Sequence, residues 1–202
     1  MTIGFDTCQN LTSKMALVFD SITFTCQSIT YIEPCKKGIG DVSHILYVDY
    51  ENNEDEIFLN HIKASISKES AWQIYLLANL QHWLPVFWHG GYQKRIPILS
   101  NDEKTSILNK ERFSICSDTD SIIETGCLTE KDYEILQSLK VKEPTITIDK
   151  TNNKAEVKCC YWNDWRGLVQ ETMSLQFGNQ GTVQIVNIDS SVLFEYDCGI
   201  IF

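Results

Sequence analysis

The chain of 202 residues holds no apolar run that approaches the roughly 18 consecutive residues needed to cross a bilayer. Its first residues, MTIGFDTCQNLTSKMALVFD, lack the basic start, long apolar stretch and small-residue cleavage site of a secretory leader. These two absences predict a soluble, cytoplasmic protein. There is no C-x-x-C, and His44, His61, His82 and His89 include no pair four residues apart, so no local zinc motif exists. Neither a Walker loop nor a dinucleotide glycine loop occurs, and no fixed-period repeat or low-complexity linker divides the chain. The sequence therefore predicts one domain, with no metal and no cofactor.

Basic residues are also scarce, 17 against 27 acidic, giving a formal charge of −10. Such a chain lacks a general attraction for phosphate backbones or anionic membranes, which disfavours nucleic acid and is compatible with a basic protein partner. What is not scarce is cysteine: eight are scattered through the chain, several within apolar runs where a free thiol packs as a small hydrophobe. A chain this long needs no disulfide framework, so the thiols are read as reduced.

From Ala16 to Ile32 the run ALVFDSITFTCQSITYI is rich in β-branched and aromatic residues and predicts one long strand or two short ones. ILYVDY and EIFLNHI flank the acidic turn ENNED and predict a hairpin. From Ser67 the apolar positions Ala71, Ile74, Tyr75, Leu77, Leu80 and Leu84 take helical spacing, with Ser67 as cap and an end expected before Pro85. Two shorter helices are expected, one capped by Asn101 or Asp102 and one by Thr129. From Pro144 onward the pattern is almost wholly β and predicts an antiparallel meander of about five strands. The expected fold is α+β: N-terminal strands and hairpin over 16–62, a helical middle over 67–143 packed on the sheet, and the meander over 144–202.

Three places carry residue types suited to function. The turn YWNDWRG sets Trp162 and Trp165 about Asp164 and Arg166, a composition like that of binding hot spots, although large aromatics at a bend are also commonly packed. The bend HWLPVFWHGGYQKR holds His89 beside a Gly-Gly pair, where a histidine can serve as general base. Glu171 shares a strand face with Val169, Met173, Leu175 and Phe177, so it needs a partner or a raised pKa, or else a bulge that turns it outward. Cys198 follows Asp197, a poor setting for a nucleophile. Asp118 and Asp120 lack the glycine and acidic twelfth position of a calcium loop.

These features fit an acidic protein-binding module, of the kind that includes bacterial antagonists and immunity-type proteins, with an aromatic turn as its contact. Glu51, Glu54, Asp55 and Glu56 would steer it toward a basic partner. One alternative is a small hydrolase or transferase that brings His89, Glu171 and Cys198 into one pocket. Another is a homo-oligomeric structural subunit.

Overall fold

Clusters of Asp and Asn separate the apolar runs, and they become tight turns in the computed structural model, which describes residues 7–33, 44–83, 95–116 and 126–199. The architecture is α+β, with helices set among mostly antiparallel sheets. Contacts divide the chain into two compact units. Unit 1 is Met1–Gly91 with Ile146–Val157 and Met173–Ile188, and unit 2 is Tyr92–Thr145 with Lys158–Thr172 and Asp189–Phe202.

In unit 1, β1 (Thr7–Asn10), β3 (Ser28–Glu33), β4 (His44–Val48) and β5 (Glu54–Asp55) form an antiparallel sheet in the order β1-β3-β4-β5. Between β1 and β3 lie α1 (Thr12–Val18) and the short β2 (Thr23–Phe24), which pairs with β6 (Ile62–Lys63). The segment from Ala16 to Val18, expected as strand, is thus the end of a helix. Asn10 Oδ1 accepts from the Thr12 N–H at 2.9 Å and starts the turn there, and Met15 is the one helical residue it buries. Helix α2 (Lys68–Trp83) follows the expected spacing. Ser67 Oγ caps it by accepting from the Ser70 N–H at 3.0 Å, and Ala71, Ile74, Tyr75 and Leu77 are buried.

In unit 2, β7 (Ile96–Ile98) is followed by α3 (Asn101–Ile107). Ser100 caps α3 through the Glu103 N–H, one residue before the expected Asn101 or Asp102. Strands β8 (Ser114–Cys116) and β9 (Cys127–Thr129) pair in parallel. Thr129 then caps α4 (Glu130–Ser138) as expected, its Oγ1 accepting from the Asp132 N–H at 3.1 Å. The end of α4 is closed from a distance. Buried Lys104 donates from Nζ to the carbonyls of Leu136, Gln137 and Leu139 at 3.0, 2.7 and 2.6 Å, satisfying acceptors that a helix C-terminus leaves orphaned. The core of this unit gathers Ile98, Leu108, Phe113, Leu128, Leu136 and Trp162.

The C-terminal strands are β10 (Thr145–Asp149), β11 (Lys154–Asn163), β12 (Gly167–Phe177) and β13 (Val183–Phe194), bonded in that order, with β7 pairing onto β11. The meander has four strands where about five were expected, because TVQIVNI and SVLFEYD form one continuous strand through Asp189, Ser190 and Ser191. Those three side chains are exposed, so the strand carries them without burying a polar group. Residues 195–199 are not strand.

The cysteines need a correction. Cys116 and Cys127 are joined as a disulfide, while Cys26, Cys159, Cys160 and Cys198 stand outside any disulfide. The two Cα atoms lie 5.8 Å apart, within bridging range, a closeness that a separation of 11 residues does not announce, although in the β8–β9 register Cys127 opposes Ser114 and Cys116 opposes Thr129.

Candidate functional site

Trp162 ends the question of the tryptophan turn. Ile96 pairs opposite it from β7, and its ring packs edge-on to Phe113 at 5.4 Å and tilted against Tyr196 at 5.3 Å. It is fully buried, as is Tyr161 beside it on the other face, because both faces of β11 are covered at this end. The Trp162 Nε1 donates to Asp164 Oδ1 at 2.6 Å, and the same oxygen accepts from Arg112 Nη2 at 2.8 Å. Trp162, offered by the sequence as a contact residue, is thus buried within a packed turn, and Asp164, half-buried, is bonded to both Trp162 and Arg112 there. Trp165 is half-buried, and its backbone N–H donates to Asn163 Oδ1. Arg166 is exposed, with Nη2 at 3.3 Å from Ser190 Oγ. Gly167 closes the turn at φ +81°, where an added Cβ would run into the backbone of Phe194 and Tyr196.

Glu171 is buried, 2% exposed, on the apolar face of β12, and the partner its position demanded is Arg95. Arg95 Nη1 donates to Glu171 Oε2 at 3.0 Å, and the guanidinium lies 4.9 Å from the centroid of the Tyr161 ring. No bulge is required. Glu171 Oε1 and the Tyr161 hydroxyl are both buried without a hydrogen-bond partner among the described residues. Burial pushes the Tyr161 hydroxyl above its ordinary value; Arg95 pulls it down and Glu171 pushes it up.

Cys198 is a half-buried free thiol in a different neighbourhood. Its N–H donates to the Asp164 carbonyl at 2.9 Å, and the preceding Asp197 carbonyl accepts from Gly126. His89 and its Gly-Gly bend lie outside the described residues, as do Asp118 and Asp120. Among the described residues no three His, Cys, Asp or Glu side chains are grouped to hold a metal ion. A cavity of about 140 Å³ is lined by Lys142, Glu143, Thr145, Lys158, Cys159, Cys160 and Gln170, a set that includes neither Glu171 nor Cys198.

The acidic turn is built differently from the tryptophan turn. Asp49 Oδ1 accepts from the N–H groups of Glu51 and Asn53 at 2.8 and 3.0 Å, its Oδ2 accepts from Asn53 Nδ2, and Asn52 takes the left-handed conformation at φ 64°. At the end of the short β5, Asp55 accepts from the Ile57 N–H at 2.9 Å and from Asn60 Nδ2 at 2.8 Å, and lies 3.1 Å from His61 Nε2. Asp55 is thus a brace for the segment that follows β5. These bonds hold both carboxyls below the ordinary range, the Asn53 side chain foremost at Asp49 and the Asn60 side chain foremost at Asp55. Around this frame Glu51, Glu54 and Glu56 are exposed, and so are two side chains the sequence reading did not single out: Tyr50 at 76% and Ile57 at 57%. Their signal was present, an aromatic at the entry of an acidic hairpin turn and an aliphatic at its exit.

No helix among the described residues is long and apolar enough to cross a membrane. Comparison with protein-family models, with curated proteins and with solved structures finds no match to this chain.

Proposed function

We propose that the chain is a cytoplasmic protein-binding module that captures a basic partner through the β4–β5 turn, in the manner of an antagonist or immunity-type protein covering a toxin or enzyme. The observation that carries this reading is Tyr50, 76% exposed with exposed Glu51 and Glu54 on a turn that Asp49 braces from within, followed by exposed Ile57 on the segment that Asp55 braces. A rigid tyrosine is a strong anchor because it presents large area at small entropic cost, and a pre-organised loop loses little freedom on binding. Acidic neighbours add steering, consistent with the charge of −10.

The test uses a basic protein captured from native lysate and then re-formed with the chain from purified components, its kinetics followed across ionic strength. The association rate is expected to fall as salt rises, and joint Glu51→Gln, Glu54→Gln and Glu56→Gln substitution to slow it about tenfold. Tyr50→Ala is expected to speed dissociation about 30-fold, the equivalent of about 2 kcal/mol at an anchor residue. A partner bound equally well by both variants would remove the turn from the interface.

A second reading, a small hydrolase or transferase, is favoured by one observation: the Arg95–Glu171 pair with Glu171 Oε1 buried and lacking a hydrogen-bond partner among the described residues. A buried carboxylate beside a cation is a familiar feature of active sites and of structural ion pairs alike.

A further inference from the structure

A feature independent of the acidic turn lies on β13. This strand is twelve residues long and ends the strand order of its sheet, so one of its edges faces no further strand among the described residues. From Val186 to Leu193 every side chain is exposed, on both faces of the strand. Four of these are large and apolar: Val186 at 53%, Ile188 at 50%, and Val192 and Leu193 at 38% each. Protein sheets blunt such edges with lysine, proline or a bulge, because unpaired N–H and C=O groups recruit other strands. QIVNIDSSVLF has no lysine, arginine or proline, and Asp189 is its one charge.

We propose that β13 is where two copies of this chain pair edge to edge, antiparallel, about a two-fold axis at Ser190. The occupant and register follow from the order of side chains. A two-fold axis normal to a sheet keeps each face on its own side, so even-numbered residues oppose even-numbered ones. Centring on Asp189 would set two carboxylates directly opposite each other, which destabilises a sheet. Centring on Ile188 would oppose Val186 with Ser190 and Val192 with Gln184, mixing apolar with polar. Centring on Ser190 opposes Ile188 with Val192, Val186 with Phe194 and Asp189 with Ser191. Every apolar residue of the even face then meets an apolar residue of the other copy, and no like charges meet. The strand is complementary to itself reversed, which an edge selected to bind a different protein has no reason to be.

Sedimentation over a range of concentrations tests the pairing, with the register read by cross-linking. The wild-type chain is expected to show a reversible dimer. Ile188→Lys and Val192→Lys, both at exposed positions and both checked for an unchanged melting profile, are each expected to raise the dimer dissociation constant at least about tenfold, since each substitution acts twice per dimer. Under mild oxidation Ser190→Cys is expected to form a covalent dimer that neither the wild type nor Val186→Cys forms. A chain monomeric at every concentration, a dimer indifferent to both lysine variants, or a β13 edge covered only by a different protein would overturn the proposal. Cross-linking through Asp189→Cys in preference to Ser190→Cys would overturn the register. None of these substitutions touches the β4–β5 turn, so the two proposals fail or survive separately.

Discussion

At the scale of single residues, Glu171 and Lys104 show two ways of burying a charge. Lys104 spends its charge on three backbone carbonyls at the end of α4, a partner set that no local pattern announces because it lies more than thirty residues away. Glu171 was legible: an acid among Val169, Met173, Leu175 and Phe177 needs compensation. That its partner would be Arg95 was not, since the pair spans 76 residues. If the pair is structural, removing one member costs far more than removing both. Arg95→Met strands the carboxylate and is expected to lower unfolding free energy by about 3 kcal/mol, whereas the Arg95→Met, Glu171→Met double variant costs less than that single change. Denaturant unfolding of the singles and the double closes this cycle. A double variant as damaged as the sum of its singles would show that the two side chains are not coupled and would weaken the ion-pair account.

At the scale of elements, what the sequence disclosed was what local chemistry decides. The caps at Ser67 and Thr129 and the turn after ILYVDY rest on side chains that bond backbone within a few residues, but the returning strand is Glu54–Asp55, and EIFLNHI, expected as that strand, holds a 3-10 turn at Phe58–His61 and then Ile62, which pairs with β2. What it concealed was decided at long range. Trp162 is core because Phe113 and Tyr196, from distant segments, pack against its ring, and β13 is continuous because no burial penalises Asp189, Ser190 and Ser191. The parallel β8–β9 pair belongs with the concealed elements. Three residues a side make a marginal ladder, so the Cys116–Cys127 link is expected to carry much of its stability. Closing so short a loop restricts the unfolded chain by about 3 kcal/mol in the chain-entropy model. Unfolding with and without a reductant, alongside Cys116→Ser, measures this. Reductant should destabilise the wild type by that order and leave the variant unmoved. Equal stability of oxidised and reduced wild type would relegate the link to an incidental pairing of neighbouring thiols.

At the scale of the whole molecule, titratable groups set a pH window for stability, and the two limbs have different origins. On the acid side, Asp49, Asp55 and Asp149 sit below the ordinary value of 3.8, held foremost by the side chains of Asn53, Asn60 and Asn152. A depressed carboxyl contributes stability that is present above pH 3.8 and lost as pH falls through its folded value. All three lie in exposed turns, so this limb is shallow. On the basic side, burial raises the thiols of Cys26 and Cys160 above 9.0 and the hydroxyls of Tyr47, Tyr161 and Tyr196 above 10.0. Each of these groups ionises in the unfolded chain before it ionises in the fold, so the unfolded chain binds fewer protons and stability falls as pH rises past 9. Lys104, lowered from 10.5 by burial, runs the other way, one group against five. The melting temperature is therefore expected to hold through neutrality and drop on the alkaline side well before any comparable loss in acid. Tyr47 is the group to remove, being 2% exposed and stacked on His61 at 5.6 Å, with its hydroxyl shifted furthest upward. Tyr47→Phe keeps the ring and deletes the titration, so melts of the variant above pH 10 should decline less steeply than those of the wild type. Parallel alkaline limbs would instead assign the loss to the growing negative charge of the whole chain, already −10 at neutrality, and a shallower limb in added salt would then identify it as long-range repulsion.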